Sequence, residues 1–175
     1  MAAESIGWWG VPLGILAGTL RGSAPFLFVS LGECLTEKSG KINLGLEGTL
    51  LMGAMSAYAI SYLGSEKWGI PSSISPWLGV LVAGIAGMGM GFIHAWLSQQ
   101  PKVNDVAVGI AMIIFGSGLA FYLGKPFIQP QAPQLQTFEL GGFFTNSPAL
   151  QSALKISSLF LIIFALSPAI NYFLK

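Results

Sequence analysis

Charge is what this sequence has least of. Of its 175 residues, 9% are charged and 53% hydrophobic, whereas a soluble domain carries about 25% charged residues. The net charge is +1, which leaves no basic surface for nucleic acid. Cysteine occurs once, at Cys34, and histidine once, at His94. A single thiol excludes an intrachain disulfide, and one thiol with one imidazole falls short of a zinc set, so no metal is expected. A G-x-x-x-x-G-K-[ST] phosphate loop is missing too, as is any nucleophile set beside a base. ATP chemistry, hydrolysis and a bound cofactor are therefore not expected of this chain. The start, Met1-Ala2-Ala3-Glu4, lacks the basic segment of a secretory signal, and the apolar stretch behind it runs too long for one.

Long hydrophobic runs fill the space that charge leaves, and mean hydropathy is +0.70. A membrane-crossing helix needs about 20 mostly apolar residues. Five stretches supply them: about 10–32, 42–63, 76–98, 105–123 and 153–174. Lipid offers no hydrogen-bond partners, so each should be helical. The fold class expected is all-α, a single polytopic transmembrane bundle of about five spans with membrane lipid around it. Connections stand out by composition: 64–75 holds Glu66, Lys67 and Pro71, 99–104 holds Pro101 and Lys102, and 125–148 holds Pro126, Pro130 and Pro133. Trp8, Trp9, Trp68, Trp77 and Trp96 fall near span ends, as an interfacial aromatic belt requires. With the N-terminus outside, Lys38, Lys41, Lys102 and Lys175 lie inside against Lys67, Lys125 and Lys155 outside. The positive-inside rule favours that orientation by a narrow margin. Small residues at every fourth position, Gly14-Gly18-Gly22 and Gly79-Ala83-Gly87-Gly91, mark faces for close helix packing.

Polar side chains inside such runs are costly, about 2.5–3.5 kcal/mol for an ionised one at a helix centre. Arg21 sits midway along the first run. It either pairs across helices, with Glu47 or Glu33, or marks a shorter helix with a wet end. His94, near a helix end, reads as a hydrogen-bonded interfacial residue rather than a proton relay. Asp105 opens the fourth run and reads as a helix cap. Between Glu33 and Gly48, Gly40, Gly45 and Gly48 interrupt an otherwise helical stretch. Asn43 and Glu47, four apart, share a face if the segment is helical. Two readings fit: a discontinuous helix lining a central pathway, or a loop carrying a Glu37–Lys41 helix pair.

The residues from Glu37 to Gly48, Glu-Lys-Ser-Gly-Lys-Ile-Asn-Leu-Gly-Leu-Glu-Gly, are followed by Leu51-Met52-Gly53-Ala54. This stretch resembles a motif of bacterial ABC-transporter permeases, E-R-x-G-x-x-N-L-G-x-E-G and then M-x-G-A. These permeases import nucleosides, simple sugars and branched-chain amino acids. Val103-Asn104-Asp105-Val106-Ala107-Val108-Gly109-Ile110-Ala111 resembles the N-x-V-x-x-G-I-A stretch of the same group. Asn43 and Glu47 fit the nucleoside and simple-sugar members better than the amino-acid ones. Lys38 stands where arginine is commoner, and Ile113 where many nucleoside-type members carry asparagine, so the resemblance implies no particular substrate.

The resemblance implies a multi-pass permease in a bacterial plasma membrane. It would form its pathway with a second permease subunit, and work with an ATP-binding subunit and an extracytoplasmic substrate-binding lipoprotein. Asn43, Glu47 and Asn104 are the residues expected to line the pathway or fix the broken helix. Arg21 and Glu33 are the further intramembrane polar candidates. Because the chain stops at Lys175, it is expected to correspond to the N-terminal part of such a permease, without the coupling helix that meets the ATPase. The alternative is a truncated non-transporting fragment or a membrane assembly partner.

Overall fold

The computed structural model describes residues 10–128, 130–139 and 155–174. Some side chains within these elements, that of Arg21 among them, lie outside the described residues. Helices dominate: α1 (Gly10–Lys38), α2 (Leu46–Glu66), α3 (Ser75–Ser98), α4 (Asp105–Gly124) and α5 (Ser158–Leu174), with a 3₁₀ turn at Lys125–Phe127. A short ladder accompanies them, β1 (Thr137–Glu139) paired antiparallel with β2 (Lys155–Ser157). The ladder takes residues that the sequence alone assigns to the start of the last helix, so α5 begins at Ser158.

The helix ends follow from local chemistry. At the end of α1, Gly40 adopts φ +80°, a left-handed conformation that glycine takes without steric cost. Its N–H donates to the Glu37 carbonyl, and the Lys41 N–H donates to that of Thr36. These two bonds form a Schellman motif, which caps the helix and turns the chain away. Pro76 sits in the first turn of α3, where its missing N–H costs no helical bond. Asn104, extended at φ −91° and ψ 124°, caps α4.

Two compact units emerge, residues 1–31 with 136–175, and residues 32–135. In the second, α2 lies against both α3 and α4. Its core is Met52, Met90, Val108, Met112 and Ala120, with Met55, Leu97 and Leu119 packed around it. Glycine sets the spacing. A Cβ added at Gly79 of α3 would lie 2.5 Å from the Ala57 carbonyl oxygen of α2. One added at Gly48 of α2 would press on the Met112 carbonyl and sit 3.0 Å from Ile113 Cα. One at Gly116 of α4 would come 2.6 Å from the Gly48 oxygen. The stripe expected on α1 behaves differently: among the described residues, nothing lies within 4 Å of a Cβ added at Gly14, Gly18 or Gly22. On α3 only the first part of the expected face packs closely, since Gly91 also has open space.

The surface is apolar where a soluble protein would be polar. Leu81, Ile85, Met88, Phe92 and Trp96 of α3 are all exposed, as are Ile110, Ile114, Phe121 and Tyr122 of α4. An apolar helix exterior of this kind suits lipid as solvent. Among the described residues, α3 and the stretch Asp105–Phe127 are long and apolar enough to cross a membrane. Hydroxyls turn back on their own helices: Ser30 donates to the Phe26 carbonyl, Ser56 to Met52 and Ser117 to Ile113. That satisfies them without water.

Candidate functional site: the polar junction at the helix break

The break between α1 and α2, residues 39–45, gathers the polar groups. Because Gly40 stops the helix, Lys41 stands on the turn. Its Nζ donates to the Ser98 carbonyl at the end of α3, 2.9 Å away, and to Asp105 Oδ1 at the start of α4, 3.1 Å away. One ammonium therefore joins three helix ends. It sits beside the C-terminal carbonyls of α3, where a cation is favourable, and Asp105 sits in the first turn of α4, where an anion is favourable. The Lys41 and Asp105 side chains are 40% and 23% exposed, so the pair is partly shielded from solvent.

Asn43 follows on the same turn and is buried. Its backbone N–H donates to Glu33 Oε1 of α1 at 3.3 Å, and its Oδ1 accepts from the Gly45 N–H at 2.9 Å. The second bond is an Asx turn that launches α2. Leu44 and Gly45 then lie directly on α4. A Cβ added at Gly109 would meet Leu44 Cβ at 2.8 Å, and one at Gly45 would meet Met112 Cβ at 2.7 Å. Thus the two motif segments, 37–48 and 103–111, meet in space through an ion pair and glycine contacts.

A cavity of about 470 Å³ opens beside the break, with Thr36, Lys41, Asn43, His94, Ser98 and Gln99 on its wall. His94 and Ser98 are each 4% exposed. Neither His94 Nε2 nor Ser98 Oγ has a hydrogen-bond partner among the described residues, and Glu33 Oε2 is likewise buried and unpartnered. Buried groups left this way cost about 1–3 kcal/mol each.

Residues 15–175 match the family described as branched-chain amino acid transport system / permease component. The chain belongs to this permease family. It is 27% identical over 166 residues to a guanosine ABC transporter permease of Bacillus subtilis, covering 87% of this chain and 51% of that one. It is 27% identical over 146 residues to a nucleoside ABC transporter permease of Lactococcus lactis, covering 83% and 44%. It is 28% identical over 143 residues to a Haloferax volcanii protein provisionally named a glucose ABC transporter permease, covering 80% and 41%. The chain thus spans about half the length of these relatives or less. No solved structure matches it. Membership makes this an integral membrane protein, in keeping with the apolar helix exteriors.

Within this permease-family chain the sequence candidates separate. Asn43 and Glu33 come together at the break. Asn43 and Glu47 do not share a helix face, because α2 starts only at Leu46; Asn43 is buried on the turn and Glu47 is exposed in the first turn of α2. Asn104 is the cap of α4: its Oδ1 accepts from the Val106 N–H at 2.8 Å and the Ala107 N–H at 3.4 Å. Asp105 is therefore inside the helix rather than its cap. The Glu37–Lys41 helix pair does not form, since the chain leaves the helix before Lys41 reaches its i+4 position. Arg21 belongs to α1, but its side chain and any partner lie outside the described residues. Ser98 is a candidate that the sequence expectations do not include, and His94, expected as an interfacial residue, is buried on a cavity wall. The i, i+4 spacing of His94 and Ser98 was the available signal.

Replacing Asn104 by alanine removes the cap of α4. The expected loss is about 1 kcal/mol of stability, read from unfolding of the detergent-purified protein. Asn104→Asp, which keeps an acceptor, should recover most of it.

Proposed function

We propose that the chain is a membrane-spanning permease subunit of an ATP-binding-cassette importer for nucleosides or simple sugars, working in a bacterial plasma membrane. It crosses the membrane about five times with its N-terminus outside, which places the break and Lys102 on the cytoplasmic side. A second permease subunit completes the pathway. An ATP-binding subunit hydrolyses ATP, and an extracytoplasmic lipoprotein delivers substrate. The observation that supports this reading is the meeting of the two motif segments at the helix break, where Lys41 joins Asp105 and Leu44 lies on Gly109. At the cytoplasmic end of α1 and α2 this turn fixes both motif segments against α3 and α4 through Lys41, and against α1 through Asn43.

Uptake of labelled guanosine and glucose by cells with and without the chain tests the reading. Deletion should abolish uptake of one of them, and re-expression should restore it. Unchanged uptake of both contradicts the assignment. Glu47→Ala is expected to lower uptake at a normal protein level. An interaction of about 1.4 kcal/mol in the rate-limiting step corresponds to about tenfold in rate. Full uptake by that variant removes Glu47 from the pathway.

A further inference from the structure

We propose that the cavity beside the α1–α2 break is a binding chamber for an uncharged solute rich in hydrogen-bonding groups. The inference rests on the importer reading and places one step of it. At about 470 Å³ the cavity falls within the roughly 300–1,000 Å³ of small-molecule sites, far above the about 30 Å³ that one water takes in liquid.

The chemistry of the wall points to the class of occupant. Ser98 Oγ is buried without a partner among the described residues, although Ser30, Ser56 and Ser117 all turn their hydroxyls back onto their own helices. His94 Nε2, one turn earlier on the same face of α3, is buried and has no partner among the described residues either. Asn43 uses its Oδ1 on the Gly45 N–H, which leaves its amide donors for an occupant. Lipid tails satisfy none of these groups. Lys41 is the charged residue on the wall, and Asp105 already matches it at 3.1 Å. The wall therefore offers several hydrogen bonds and no spare cation for an anion. A molecule carrying hydroxyls or ring nitrogens and no charge, such as a sugar or a nucleoside, fits that set.

Thiol accessibility in the assembled complex tests this. Ser98→Cys is introduced into a Cys34→Ala background, and membrane vesicles open to the cytoplasmic face are treated with a charged, membrane-impermeant methanethiosulfonate. The Ser98→Cys thiol should react, and guanosine or glucose should slow the reaction. A solute at about ten times its Kd leaves about a tenth of the sites open, so the rate should fall about tenfold. Ser39→Cys, at the exposed rim, serves the same measurement if the first variant does not assemble. An unreactive thiol means that the space is dry or filled by protein and overturns the proposal. Reaction that neither solute slows means water alone, and overturns it too. Uptake by intact cells carrying the unmutated chain keeps the two claims apart: transport without protection sinks the chamber and leaves the importer standing, whereas absence of transport sinks the importer reading.

Discussion

Gly48→Ala is expected to destabilise the protein severely, although it adds one methyl group. The added carbon would press on the Met112 carbonyl oxygen and lie 3.0 Å from Ile113 Cα. Both obstacles are α4 backbone, which cannot rotate aside as a side chain can. Overpacking costs about 1–3 kcal/mol where side chains can yield, so about 3 kcal/mol or more is expected here, a large share of a typical 5–15 kcal/mol. Gly116→Ala strikes the same contact from the other helix, where its carbon would come 2.6 Å from the Gly48 oxygen. The double variant should therefore cost less than the sum of the two. Gly118→Ala provides the control, since no described residue lies within 4 Å of its added carbon. It should be neutral or stabilising by up to about 1 kcal/mol, the ordinary helix preference of alanine over glycine. Reversible unfolding in mixed micelles measures all four. Equal stabilities for Gly48→Ala and Gly118→Ala would show that α2 and α4 do not approach as described.

Lys41→Met is expected to have the second-largest effect. It removes the donor to the Ser98 carbonyl and leaves Asp105 without its counter-charge. Fully exposed pairs contribute about 0–1 kcal/mol, whereas breaking a buried pair costs about 3–5 kcal/mol. With side chains 40% and 23% exposed, this pair falls between those limits, and a loss of about 1–3 kcal/mol is expected. Asp105→Asn alone should cost less, because it spares the Lys41–Ser98 bond. A double-mutant cycle should return a coupling near 1 kcal/mol. Additive losses would mean that the ammonium and carboxylate act independently. Transport should suffer beyond stability, because this ammonium ties the break to α3 and α4.

Much of this was legible in the sequence, and the reasons are physical. Apolar runs longer than about 20 residues impose helices in lipid, and α2, α3 and α4 lie where those runs are. Pro76, Asn104 and Gly40 mark helix ends because each does local chemistry there. Partnership across helices was not legible. Gly14, Gly18 and Gly22 have the same spacing as a packing face, yet among the described residues nothing lies within 4 Å of a Cβ added there, whereas Gly48 and Gly116 carry the close approach. Spacing shows that a face is smooth and not what lies against it. Lys41 reads as the i+4 partner of Glu37 only if the helix continues. Gly40 at φ +80° ends it, and the ammonium reaches an acid 64 residues along the chain. The β1–β2 ladder escaped notice because three-residue strands carry too little pattern to register beside longer helical signals.

The central claim is that this chain works as the membrane subunit of an ATP-driven importer. Purification of the tagged chain from its native membrane in mild detergent, with mass spectrometry of what accompanies it, tests that most directly. The account predicts a stoichiometric ATP-binding subunit and a further permease subunit, with ATP hydrolysis in the purified material. A chain recovered without any ATP-binding protein would contradict it.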